Sequence, residues 1–124
     1  MASEEGKDTA GARQGTVVHL DDADPDTHRR VLRNVGNLLD ALDDGSPVEL
    51  VVHGPAIAAV LAGADTAGAL QDLLGRGIGV AACQNTMDRE GIRAGDLARG
   101  VHTVASGIAQ LVLRQRQGWA YVRP

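Results

Sequence analysis

The chain carries one cysteine, Cys83, within the run Val80-Ala-Ala-Cys-Gln-Asn-Thr86, where small and β-branched residues give way to polar ones. A thiol at the end of a strand and just before a helical turn meets the positive end of the helix dipole. Together with free N–H groups, that favours thiolate over thiol. Such a sulfur can attack another sulfur. Arg89 and Arg93 would favour the thiolate further, Asp21, Asp22 and Asp88 would oppose it, and the same position also suits a cysteine that only packs. His53, in His53-Gly-Pro55, ends a second apolar run and is placed to move a proton or to partner a thiolate; hydrogen bonding to the loop that follows is the structural alternative. Cys83 and His53 are therefore the candidate reacting groups. Gly54, Gln84, Asn85 and Thr86 are the candidate binding groups around them.

These residues need elements to hold them. Thr16–Leu20, Val48–His53, Ile78–Ala82, Val101–Val104 and Ala120–Val122 read as strands, being short, β-branched and bounded by turn residues. Between the first two, Val31, Leu32, Val35, Leu38, Leu39 and Leu42 recur at helical spacing, with Asp24-Pro25 as the start signal and Gly45-Ser46-Pro47 as the stop. Ile57, Val60 and Leu61 predict a short helix after the second strand. Leu70, Leu73 and Leu74 predict another, ended by Gly75-Arg76-Gly77, which precedes a strand and so is a helix stop with no phosphate-loop geometry. A last helix would turn Ile108, Leu111 and Val112 inward and end in Arg114 and Arg116. Trp119 and Tyr121 would alternate on the final strand and cover a sheet face or a subunit contact.

Alternation of strand and helix implies a mainly parallel sheet with helices on both faces, so ligands belong beyond the carboxyl ends of the strands. If the second and third strands bracket the first, His53 and Cys83 face one cleft across it. His19 and His102 fall inside strands and His28 at a helix start, with no pair at metal-ligand spacing, so no metal site is expected. The acidic loop of Asp21, Asp22, Asp24 and Asp26 reads as solvated and helix-capping, with magnesium binding the weaker alternative.

Composition bounds the function. The 124 residues, 44% hydrophobic and 23% charged, make one domain that needs no disulfide or metal to hold a core. With 12 basic against 16 acidic residues and 2% aromatics, there is neither the basic stripe nor the stacking platform of a nucleic-acid binder. The most apolar stretch, 48–64, is interrupted by Glu49, His53, Gly54 and Pro55, which excludes a membrane span there, and no secretion signal opens the chain; a cytoplasmic location is expected. Residues 1–15 lack apolar periodicity and are expected to be a disordered tail ahead of a single domain over 16–124. No Walker loop and no nucleophile elbow is present, so no standard enzyme class is indicated.

Taken together, His53-Gly-Pro-Ala-Ile57, Val80-Ala-Ala-Cys-Gln-Asn-Thr86, Gly91-Ile92, Asp96-Leu97, Gly100-Val101, Ala105-Ser-Gly-Ile-Ala-Gln-Leu111 and Gly118-Trp-Ala-Tyr-Val122 resemble the DsrE/DsrF-like family of small sulfur-handling proteins. The resemblance spans nearly all of 16–124, and its most specific part is Cys-x-Asn-Thr combined with His-Gly-Pro about thirty residues earlier. It implies a three-layer α/β/α sandwich with a five-stranded sheet, homo-oligomers of three or six chains, and a persulfide-carrying cysteine, here Cys83. The function so implied is a cytoplasmic sulfur carrier without cofactor, a sulfurtransferase-type relay between donor and acceptor proteins. The rival reading is an oligomeric scaffold that binds a small anion or nucleotide and in which Cys83 is structural.

Overall fold

The computed structural model describes residues 14–124. The tail expected over 1–15 falls outside them as far as residue 13. Gly15 is buried, its carbonyl accepting from the Ala120 N–H at 2.9 Å, and a Cβ there would stand 2.9 Å from the Trp119 ring.

Five strands form one sheet: β1 (Thr16–Leu20), β2 (Val48–Val52), β3 (Gly79–Cys83), β4 (His102–Val104) and β5 (Ala120–Val122). Every pairing is parallel and the order is β4-β3-β2-β1-β5. The three central strands are apolar on nearly every residue, as parallel strands covered on both sides must be. β2 and β3 are thus direct neighbours rather than flanking β1, so His53 and Cys83 follow from adjacent strands and no strand lies between them.

Side chains alternate along each strand and give the sheet two unlike faces. Val18, Leu20, Leu50, Val52, Val80 and Ala82 point to one face. It is sealed by α1 (Pro25–Leu42), a 3-10 helix (Gly54–Val60), α2 (Ala67–Gly75) and α3 (Gln84–Glu90), which add Val31, Leu32, Val35, Ile57, Val60, Leu70 and Met87. α1 begins where expected, with the Asp24 carboxylate accepting from the Asp26 N–H at 2.9 Å. It ends earlier than Gly45: Asp43 adopts φ 43° and returns its N–H to the Leu39 carbonyl, an αL cap that a short polar residue tolerates. Leu42 is left exposed.

The opposite face carries Val17, Val51 and Ala81 and, among the described residues, is covered by a single helix, α4 (Gly107–Arg116). Of the three residues expected inward on α4, only Leu111 is buried; Ile108, Val112 and also Leu113 face solvent. The stripe that meets the sheet is Gly107, Gln110, Leu111 and Arg114, because Glu49, the second residue of β2, lies buried on this face and requires polar partners. Arg114 Nε and Nη2 donate to the Glu49 carboxylate at 2.9 and 3.2 Å, Gln110 Nε2 donates at 2.8 Å, and His102 lies 3.7 Å away. Burial pushes the Glu49 carboxyl up, but the Arg114 and Gln110 hydrogen bonds and the nearby positive charge outweigh it and hold the group below its ordinary value. Arg114 also stacks on Trp119, 4.3 Å from the ring centroid. Among the described residues no helix is long and apolar enough to cross a membrane.

Candidate functional site

β3 runs one residue further than its β-branched pattern indicates, so Cys83 is both the last strand residue and the N-cap of α3. Its side chain points to the α4 face, and the sulfur faces N–H and O–H groups at two helix starts. The N–H groups of Asn85 and Thr86 reach it from α3, together with the Thr86 hydroxyl, and the N–H of Gly107 reaches it from the first residue of α4. Thr86 is aimed by a further bond: its Oγ1 accepts the Gly54 N–H at 2.9 Å, leaving its own proton for the sulfur. Burial raises the Cys83 pKa, but these donors, Gly107 first, outweigh burial and hold the thiol below its ordinary value. The residue is 5% exposed, so the sulfur is covered although its ionisation is favoured.

Two glycines make this possible. Gly54, at φ 60°, turns the chain out of β2 directly into the 3-10 helix and so points its N–H at Thr86, a backbone state most other residues disfavour. Gly107 allows α4 to approach the strand ends: a Cβ there would lie 3.0 Å from the His53 Cβ and 3.4 Å from the Cys83 Cβ. Gly107 therefore stands against both expected reacting residues. The other expected binding residues divide. Thr86 holds the sulfur with backbone and side chain, and Asn85 reaches it with its backbone N–H while the residue is exposed. Gln84 turns along its own helix to donate to Asp88 at 2.8 Å.

His53 is bonded away from its following loop. Its Nε2 lies 2.7 Å from Nε2 of His19, and Nδ1 of His19 lies 2.6 Å from the Tyr121 hydroxyl. The two imidazoles are stacked, with centroids 4.9 Å apart. The result is a relay Tyr121–His19–His53 in which moving one proton along each bond exchanges the two tautomeric patterns. Burial lowers the His19 pKa, with His53 and Arg123 adding to the effect and Asp21 opposing it. Asp21 is the one member of the acidic loop that belongs to this cluster, its Oδ2 3.7 Å from His19 Nε2. Asp22 and Asp24 instead accept from backbone N–H groups, and Asp26 pairs with Arg29, which is the capping role expected of them.

His19, Tyr121 and Gly107 were not legible as site residues. His19 and His53 are 34 positions apart and show no ligand spacing, but parallel pairing of β1 with β2, His19 against Val51, places both at the same end and on the same face. His28, by contrast, is buried with Nε2 2.6 Å from the Asp22 carbonyl and supports the loop.

The all-parallel sheet flanked by helices makes an α/β/α sandwich, and the solved structures that share it are DsrE-like fold proteins. The protein of unknown function MTH1491 from Methanobacterium thermoautotrophicum is 32% identical, with a TM-score of 0.86 over 90% of this chain and 99% of that one. The chain belongs to the same family as MTH1491. The ychN protein from E. coli, 18% identical, shares the fold with a TM-score of 0.77 over 90% of this chain and 99% of its own. No family model and no curated protein matches the chain.

Proposed function

We propose that the protein is a DsrE/DsrF-type sulfur carrier in which Cys83 holds a sulfane sulfur as a persulfide. The observation that carries this reading is the set of donors converging on one sulfur from two helix starts, which stabilises an anion there. In the reaction the Cys83 thiolate attacks the outer sulfur of a donor persulfide, R–S–SH. The S–S bond of the donor breaks, an S–S bond to Cys83 forms, and R–S⁻ leaves with the electron pair; no net oxidant is required. An acceptor thiolate then attacks the outer sulfur and returns Cys83 to thiolate. With one cysteine in the chain, both donor and acceptor must be other molecules. His53, bonded through His19 to the half-exposed Tyr121, exchanges protons with solvent as the charge on sulfur changes.

The same reading places the protein in the cytoplasm, where a lone thiol stays reduced. It also assigns the solvent-facing Ile108, Val112 and Leu113 of α4, with Tyr121 and Val122 of β5, to contacts in a homo-oligomer of three or six chains. The 5% exposure of Cys83 favours a second reading, in which the cysteine is structural and the oligomer is a scaffold. Intact mass after treatment with polysulfide decides between them. A gain of sulfur that is lost in Cys83→Ser and reversed by an added thiol supports the carrier. A folded protein that gains none, in line with an inert buried cysteine, supports the scaffold.

A further inference from the structure

The geometry points to a divalent transition-metal site, of zinc type, built from Nε2 of His19, Nε2 of His53 and Oδ2 of Asp21. One donor atom from each of the three lies within 4.8 Å of the others. Two imidazole nitrogens facing each other at 2.7 Å share a single proton, and replacing that proton by a cation gives both lone pairs a partner. Zinc–nitrogen bonds of about 2.0–2.1 Å put two ligands of a tetrahedral ion about 3.4 Å apart, so the rings need to part by only a fraction of an ångström. His53, at the start of the 3-10 helix, is half-buried whereas His19 is buried, so His53 is the less enclosed of the two rings.

The surrounding groups are arranged as supports for such ligands. The Tyr121 hydroxyl holds Nδ1 of His19 at 2.6 Å, which fixes the ring and turns Nε2 toward the site. Arg123 Nη2 holds Oδ1 of Asp21 at 3.0 Å, and the oxygen left facing His19 is Oδ2. A carboxylate with one oxygen anchored and the other directed at two imidazoles is a ligand already oriented. Two histidines and one carboxylate leave a fourth position open to water or to a small anion, as in zinc sites that bind exchangeable ligands.

The site uses no atom of Cys83 but takes the two nitrogens of the proton relay, so a bound ion and the relay exclude one another; metal binding is measured without sulfur loading, and the two readings therefore fail separately. The full chain, stripped with a chelator, is titrated with zinc(II) by calorimetry and with cobalt(II) by visible absorption. One ion per chain is expected, with cobalt d–d bands that are unchanged in Cys83→Ser. His19→Gln and Asp21→Asn should each weaken zinc binding by about tenfold to a hundredfold or more, and Tyr121→Phe by about tenfold through loss of the support on Nδ1. Asp21 is on an exposed loop, so its variant reports on the site even if a histidine variant fails to fold. No binding by about 1 mM zinc, an affinity unchanged from the parent in the His19 and Asp21 variants, or a sulfur-to-cobalt charge-transfer band that vanishes in Cys83→Ser would each overturn the assignment.

Discussion

On one face of the sheet Val18, Leu20, Leu50, Val52, Val80 and Ala82 meet α1, α2, α3 and the 3-10 helix in a continuous apolar core. On the other, α4 is the one helix among the described residues that covers a face whose inward groups include His19 and Glu49, both buried and bonded, and Cys83, buried beside N–H donors. The first face repays burial through apolar area and tight packing. The second buries polar groups, each of which costs free energy unless it has a partner; Trp119 Nε1 is a buried donor there without one. Stability and chemistry are thus divided between the faces. The division explains why α4 presents glycine, glutamine and arginine to the sheet and leaves isoleucine, valine and leucine outside.

The division can be broken from the apolar side first. Leu50→Ala, at a fully buried position of the sealed face, should cost about 3–4 kcal/mol in chemical denaturation and leave the reactivity of Cys83 in the still-folded protein unchanged. A parallel loss of thiol reactivity would show that the two faces are not separable. Arg114→Ala strands the Glu49 carboxylate and should cost about 3 kcal/mol, whereas Glu49→Gln, which keeps a neutral acceptor for Gln110 and Arg114, should cost less. Equal losses in the two variants would mean that the carboxylate's charge is not what Arg114 satisfies.

Acid provides a gentler version of the same experiment. Because the folded state depresses the Glu49 pKa, its contribution is present above the unfolded value, about 4.3, and is lost as pH falls through the lower folded value. The parent should therefore lose stability between about pH 4.5 and 3 more steeply than Glu49→Gln does, as read from denaturation midpoints across that range. The smallest expected effect is at the sulfur. Thr86→Val removes one donor near Cys83 and the acceptor for the Gly54 N–H, and should cost about 1 kcal/mol while raising the thiol pKa. A thiol pKa unmoved in this variant would remove the hydroxyl from the cradle.

The sealed face was legible because its signals are local. Val31, Leu32 and Val35 sit at helical spacing and are buried, Asp24 caps α1, and the β-branched runs mark the strands to within one residue. The active face was legible only in part. Cys83, His53, Gly54 and Thr86 stand at strand ends or immediately after them, where a parallel sheet concentrates function; the fold brings Cys83 and His53 against Gly107, Thr86 to the sulfur, and the Gly54 N–H to the Thr86 hydroxyl. Ile108 and Val112 misled because apolar side chains were matched to an inward stripe without the partner strand in view, and it is Glu49 that selects Gln110 and Arg114 instead. His19 and Tyr121 lie 102 positions apart and meet only because β1 pairs with both β2 and β5. No spacing in the chain encodes that meeting; the strand order does.

The rate of Cys83 alkylation by iodoacetamide in the folded protein, followed from about pH 5 to 9, tests the sulfur cradle most directly. With Gly107, Thr86 and Asn85 holding the thiolate, the rate should rise with a midpoint below the ordinary thiol value of about 8.5 and remain appreciable at neutral pH, and Thr86→Val should move that midpoint upward. A midpoint at or above the ordinary value, or a thiol that reacts only after unfolding, would contradict the account.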